Sequence, residues 1–548
     1  MVFARRSTTL LAAIIASCAM VLSLTACTSD NKTVVDGQTT VTSNSAGGVA
    51  VFTPSDGITL NQQTPLNKWA KLVPDLAKAL ADAGFKKGDI NHTTSDSLDK
   101  QSRAIQDFVV DHLSNNTTDD SGIAIAPDNM TLLVAPVVEA DASTRQYGDY
   151  VSQNLSTNDV TDEGATSDGE SSEDDSSKDD SSKDDSSNTE SDSTASDEQA
   201  QAVDRLVSSL KLAKESGMHV VLLGNSIEGY KPDAFVKFSD AQTIGKLQAE
   251  KMVSKLKLDK ASKDNPKYIE VLLPYTAVDE KGNANDSTFA QEAFRGIWQV
   301  LGSYYQKGVV ESPSGTLDGK STENDWQAVA YDAAKEGSTA KVLDKRLAKT
   351  DGQSTLTRID GIITMNDYIA SEVVKELDDL GYTGSAADIN PQITISGIVG
   401  NITGKKDLSR DAVPDPIKSP ENDNANDSSS SDDDADEDTS ASDKDRDSQW
   451  PLVTGYGAYV SNIPSIVNGK QWMTGMEDRQ TIATDIAQAC AKLNKDEALN
   501  SMPSIRNSEV GGVKKIPTIS EPLLAVSASN LKSALIDPGY ISLADAGL

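Results

Sequence analysis

The chain has 548 residues, of which 24% are charged and 37% hydrophobic, and its net charge is −34. That length exceeds one ordinary domain, and so acidic a protein is no nucleic-acid binder. Three Cys and three His, none of the His spaced against a Cys, point to no metal site and give no sign of a cofactor.

The acidity is local. Residues 161–200 hold 15 acids and two lysines, and residues 421–449 hold 12 acids and two bases, so these stretches carry −23 of the −34. Ser/Asp repeats such as SSKDD, at 176–180 and again at 181–185, cannot build a core. Two acidic, disordered inserts are therefore expected, at 152–200 and 407–449.

At the N-terminus, Arg5-Arg6 precedes an apolar run from Leu10 to Leu24, too short for a stable membrane span. The run closes on Leu24-Thr25-Ala26-Cys27, which resembles the bacterial lipobox. Residues 1–26 then read as a lipoprotein signal peptide, with Cys27 as the lipidated first residue of the mature chain. That places the protein on the extracytoplasmic face of the cell membrane, held by its acyl chains. Residues 27–46 are Thr-, Ser-, Asn- and Gly-rich and read as a flexible tether.

Strands and helices then alternate. Gly47–Pro54 reads as a strand, and Leu66, Trp69, Leu72, Val73, Leu76 and Leu80 mark a helix stopped by Gly84. Ile90–Thr94 reads as a strand and Ile105–His112 as a helix. Ile123–Pro127 reads as a strand ending in Asp128-Asn129, followed by a helix over Leu132–Glu139. After the first insert come a helix from Val203, a strand over Met218–Asn225, a helix over Phe238–Leu256 and a strand over Tyr268–Leu273. Helices are expected from Phe289 to Leu301 and from Trp326 to Leu347.

Arg358–Gly381 is the clearest unit. Ile362-Ile363-Thr364 is a strand, Met365-Asn366-Asp367 a polar corner, and Ile369, Val373, Val374, Leu377 and Leu380 a helix face. Open α/β sheets bind ligands at the carboxyl ends of their strands. Asn366 and Asp367 stand there, as helix caps, ligand contacts or both. Ile393–Ser396 and Pro451–Gly455 read as strands, Ile463–Val467 and Thr481–Leu493 as helices, and Pro522–Val526 as a late strand. Such alternation gives parallel sheets covered on both faces. The number of elements calls for two doubly wound lobes.

Several of these pieces, in order, resemble the type I periplasmic binding proteins, the sugar-binding lipoproteins of ABC importers, close to the xylose- and ribose-binding group. They are Asn67-Lys68-Trp69, Ile125–Asn129, Gly217–Val221 leading to Asn225, and Ile244–Ala249. Then come Trp326 with Ala328, Ile359–Asp367, Thr454-Gly455, Gly469–Thr474 and Ser529–Leu531. The resemblance implies two flavodoxin-like lobes joined by three crossovers, near Phe238–Asp240, Thr454-Gly455 and Met476–Asp478. The N-terminal lobe would be 47–238 and the C-terminal lobe 239–454. Residues 455–478 would return to the first lobe, and 479–548 would complete both.

It further implies a sugar or sugar-like ligand in the interlobe cleft, hinge closure, ABC permease subunits as partners, and no catalysis. Ligand contacts are expected from Asn67, Trp69, Asp128, Asn129, Asn225, Asn285, Asp286, Asn366, Asp367 and Tyr456. The chain departs from the family pattern at two points. Phe289 stands where relatives carry an Asn, so that Asn285 or Asp286 substitutes for it. Gly455 is followed by Tyr456-Gly457 rather than Gln-Asp, so a carboxylate is missing. These departures leave open a ligand-binding sensor or an orphan interaction lipoprotein with a degenerate sugar site.

Overall fold

The computed structural model describes residues 34–35, 38–39, 46–55, 65–115, 129–138, 144–150, 153–156, 190–278, 285–333, 335–348, 355–386 and 449–548. The leader, Cys27, Asp128 and the expected strands at Ile123–Pro127 and Ile393–Ser396 lie outside these residues. The chain divides into two compact units, residues 1–44 and 45–548. In the first, Val34–Val35 pairs antiparallel with Gln38–Thr39, within the stretch expected as a structureless tether. Val34 and Val35 are β-branched, a residue type that suits a strand.

The second unit holds two lobes. The chain enters the first with β1 (Gly48–Pro54), α1 (Trp69–Asp82), β2 (Ile90–Ser95), α2 (Leu98–Asn115), β3 (Met130–Val134), α3 (Glu190–Glu215), β4 (His219–Leu223) and β5 (Ala234–Lys237). It builds the second with α4 (Ala241–Leu256), β6 (Lys267–Val271), α5 (Thr288–Gln306), β7 (Val310–Glu311), α6 (Ser338–Arg346), β8 (Gly361–Ile363), α7 (Asp367–Leu380), β9 (Leu452–Tyr456) and β10 (Met473–Met476). It returns to the first lobe with α8 (Arg479–Leu493), β11 (Ile505–Val510) and β12 (Val513–Ser520), and ends in the second with β13 (Leu524–Ser527).

The first sheet has seven strands in the order β11-β12-β5-β4-β3-β1-β2, and the second has six in the order β7-β6-β8-β9-β10-β13. Counted within each lobe, the first five parallel strands run 2-1-3-4-5 in both, and β12 adds a sixth parallel strand beside β5 in the first. The shared order is the flavodoxin-like one, with a switch point between strands 1 and 3. The two-lobed doubly wound fold expected from the sequence is therefore present.

Burial explains why these strands read as continuous apolar runs. In β4, Val221 and Leu223 pack under α1 and α8, while Val220 and Leu222 pack under α2 and α3. Both faces of the sheet are covered, so the strand needs no polar alternation.

Several expectations need correction. Residues 130–134 form a central strand, not the expected helix, because all five side chains are buried between two layers. The expected helix over Trp326–Leu347 is one turn, Trp326–Val329, followed by α6, which starts after Gly337 in the left-handed region at φ 70°. β5, β11 and β12 were not anticipated. β11 and β12 form a hairpin across Gly511-Gly512, whose φ values of 55° and 78° suit glycine.

Ordered elements lie within the stretches expected as inserts and beside them. Asn154–Leu155 pairs with Ser226–Ile227, α3 already begins at Glu190, and Gln449 bridges to Thr383.

The chain crosses between lobes at Phe238–Asp240 and at Met476–Asp478, as expected. Thr454-Gly455 is no crossover. It lies inside β9, paired on both sides by β8 and β10. Residues 455–478 accordingly stay in the second lobe. The third crossover is Glu521–Leu523, between β12 and β13. The C-terminal residues Leu531, Leu535, Tyr540 and Ile541 then cover Leu66, Ala458 and Met476 beside the hinge.

Candidate functional site

At the carboxyl end of β8 the chain turns sharply into α7. Met365 takes the left-handed conformation at φ 69°, where a non-glycine residue is uncommon. Asn366 caps the helix and also reaches across the lobes. Its Oδ1 accepts from Ile369 N at 2.9 Å, capping α7, and its Nδ2 donates across the lobes to Gln146 Oε1 at 3.1 Å.

Asp367 faces inward instead. Its carboxylate accepts from Tyr459 N (2.9 Å), Gln471 Nε2 (2.7 Å) and Thr474 Oγ1 (2.9 Å). It is fully buried and knits α7 to β10 and to the loop after β9. Burial raises its carboxyl to about 6, against the opposing pull of these hydrogen bonds. Gly455 makes room for it, because a Cβ there would stand 2.2 Å from Asp367 Oδ1. Asp367 is thus a scaffold carboxylate and not the ligand contact expected.

Two crossovers are tied together beneath the cleft. Ser239 N donates to Glu477 Oε1 at 2.7 Å, and Ser239 Oγ bonds the same oxygen. Tyr456 OH lies 2.5 Å from Ser239 Oγ and donates to Glu477 Oε1 at 3.4 Å. Burial raises Glu477 to about 7, with the bonds from Ser239 opposing. Tyr456, expected to meet ligand, commits its hydroxyl to this hinge and is fully buried. Asn67 joins the same cluster. Its Oδ1 accepts from Glu477 N at 3.3 Å, while its buried Nδ2 has no hydrogen-bond partner among the described residues.

Between the lobes runs a segment that the sequence reading missed, Gln146-Tyr147-Gly148-Asp149-Tyr150. Tyr147 is 1% exposed, with its ring 4.6 Å from Phe289 and 6.3 Å from Tyr456. It packs in the core of the second lobe although it belongs to the first. Gln146 O accepts from Tyr459 OH at 2.7 Å. Asp149 accepts from Lys68 Nζ and from Trp69 N, each at 3.1 Å. Tyr150 stacks on Phe238 at 4.8 Å, and its hydroxyl donates to Lys68 O. Two tyrosines around a Gly-Asp pair are the only sign the sequence offers of this packing.

The remaining expected residues divide. Trp69 is 3% exposed, edge-on to Tyr150 (5.0 Å) and Phe238 (5.7 Å), and packs in the core. Asn225, at the carboxyl end of β4, spends its amide on Gln153 N and Pro136 O, both at 2.9 Å. Asn129 precedes β3, at the amino end of the sheet and away from the cleft. Asn285 closes its own loop through Nδ2 to Thr276 O at 2.9 Å. Asp286 is exposed and accepts from Thr288 N and Oγ1 at the start of α5. Of the ten expected contacts, the structure gathers Asn67 and Tyr456 around Glu477, while Asn366 bonds Gln146 across the lobes.

A scan against protein-family models and a search of curated proteins found no match. Among solved structures, the chain is similar to an ABC transporter solute-binding protein from Clostridium phytofermentans with bound β-D-glucose. The identity is 17%, with 91% of this chain and 99% of that one covered, at a TM-score of 0.43. It is also similar to a carbohydrate transporter solute-binding protein from Chloroflexus aurantiacus in complex with D-glucose (18% identity, 92% and 98% covered, TM-score 0.42). An arabinose-binding protein from Geobacillus stearothermophilus is a third (10% identity, 89% and 99% covered, TM-score 0.41).

Proposed function

We propose that this chain is an extracytoplasmic solute-binding lipoprotein, anchored through Cys27, that takes a sugar or sugar-like solute between its lobes and presents it to an ABC permease. The observation that carries the reading is topological. Two sheets that share the 2-1-3-4-5 order in their first five parallel strands meet through the loops at the carboxyl ends of those strands, over a hinge made by Ser239 and Glu477. Ligands of open α/β sheets bind there, and a hinge beneath such a cleft lets two lobes close on a solute. The ordered family motifs and the lipobox support the importer role and the anchor. Binding rather than turnover is the expected activity.

The test is a thermal-shift screen of the mature chain against D-glucose, D-ribose, D-xylose, D-allose, L-arabinose, polyols and nucleosides. A solute at 100 times its Kd adds about 2.7 kcal/mol of stability. For a lobe-sized domain, each kcal/mol raises Tm by about 2–4 °C. A flat panel overturns the reading. Detergent phase partitioning of the wild type and Cys27→Ala tests the anchor separately, with the variant expected in the aqueous phase.

A second reading is favoured by one observation, the packing of Tyr147 between Phe289 and Tyr456. A cleft filled by the protein's own ring suits a sensor or interaction lipoprotein whose sugar site has degenerated.

A further inference from the structure

We propose that Gln146–Tyr150 is a built-in occupant of the interlobe cleft. It braces the two lobes together when no solute is present, and a solute has to displace it. The segment is anchored on both sides at once. Toward the second lobe, Gln146 takes one bond from the Asn366 side chain and one from the Tyr459 hydroxyl, and Tyr147 inserts its ring against Phe289. Toward the first lobe, Asp149 and Tyr150 hold Lys68, Trp69 and Phe238.

The groups engaged are the ones a polar ring-shaped solute would use: an amide and a hydroxyl at strand ends, with aromatic faces beside them. Gly148 lets the segment lie flat on the first lobe, since a Cβ there would come within 2.6 Å of Asn67 O. Asn67 underneath keeps a buried Nδ2 with no partner among the described residues, a donor that a displacing solute can satisfy. Two hydrogen bonds and one buried aromatic ring are a brace that a ligand can outcompete, since each bond nets only a small fraction of a ligand's binding energy.

The brace itself can be tested without any ligand. Only its displacement rests on the solute-binding reading. Spin labels at Lys78→Cys on α1 and Lys375→Cys on α7, both exposed, report the distance between the lobes. In the mature chain without solute, the wild-type background should give one narrow distribution. The double variant Gln146→Ala, Tyr147→Ser should give a longer and broader one, and Tyr147→Phe, which keeps the ring, should match wild type. If the double variant does not fold by circular dichroism, Tyr459→Phe, which removes the bond to Gln146, should broaden the distribution in its place. Equal distributions in wild type and brace variants overturn the brace.

The same sugar panel, D-glucose first, tests displacement. A solute that binds should bind the double variant with a Kd at least about tenfold lower, because the competent state is no longer a minor fraction. Equal Kd values overturn displacement. Binding to neither protein overturns the solute reading, while the distances still decide the brace.

Discussion

At the scale of single residues, side-chain type says less than orientation. Asp367 has the residue type and the strand-end position of a sugar ligand, yet it turns into its own lobe and holds Tyr459, Gln471 and Thr474. Asp367→Ala should cost at least about 3 kcal/mol in urea unfolding, because it leaves three buried donors short of an acceptor. Its folded pKa of about 6 lies above the ordinary value of 3.8, so the folded state binds the proton more tightly than the unfolded one. Its contribution to stability is therefore full below about pH 4 and is lost as pH rises to about 6. Asp367→Asn does not titrate and should lack that part of the slope. An unchanged slope between pH 4 and 6 would show that the carboxylate is not held as described. Neighbouring Asn366 was legible as a cap, and it caps α7 while its amide also bonds Gln146. Nothing in the sequence told Asp367 apart from it, because one step along the first turn of a helix decides which lobe a side chain faces.

At the scale of elements, amphipathic periodicity was enough for α1, α4, α5 and α7, whose apolar positions recur on one face. It failed where an element is buried all round. Met130–Val134 has no polar alternation to mark it as a strand, and its apolar run extends beyond the pairing. The hairpin of β11 and β12 failed for the opposite reason, since Arg506, Lys514 and Lys515 hide its apolar face among charges; only Gly511-Gly512 signalled the turn. Close helix contact was also invisible beforehand. α4 and α5 meet through Gly245 and Gly296, where an added Cβ would stand 2.2 Å from Ala293 O and 2.0 Å from Gln242 O. Both obstacles are backbone, so neither can rotate away. Gly296→Ala should force the helices apart and cost about 1–3 kcal/mol or more, read as a lower urea midpoint with an unchanged m-value. Ala substitution at Gly315, which meets no neighbour within 4 Å but sits at φ 70°, is a control for backbone strain alone.

At the scale of the whole molecule, two doubly wound lobes were readable from the alternation of strands and helices, and the family resemblance implied two of the three crossovers. The third crossover was not, since it depends on β13 pairing antiparallel with β10 over a distance of some fifty residues. What joins the lobes is a small polar cluster, and it carries the largest-scale prediction. Glu477 is fully buried, with Ser239 donating twice, Tyr456 at its edge, Asn67 on its backbone and Asp240 as the nearby like charge. Its folded pKa of about 7 lies above the ordinary 4.5, so its contribution is complete below about pH 4.5 and is lost as pH rises through about 7. The protonated carboxyl holds the two crossovers without a buried charge, whereas the ionised one invites water between them. The melting temperature should therefore fall from pH 5 to pH 8. Glu477→Gln keeps the shape and an acceptor without the charge, so it should flatten that fall and raise Tm at pH 8 relative to wild type. Because the cluster lies where the chain passes between lobes, lobe-to-lobe distances in wild type should broaden over the same interval, while those of Glu477→Gln stay constant. A wild-type distribution that is pH-independent from 5 to 8 would place the titration elsewhere and leave the hinge a purely structural joint.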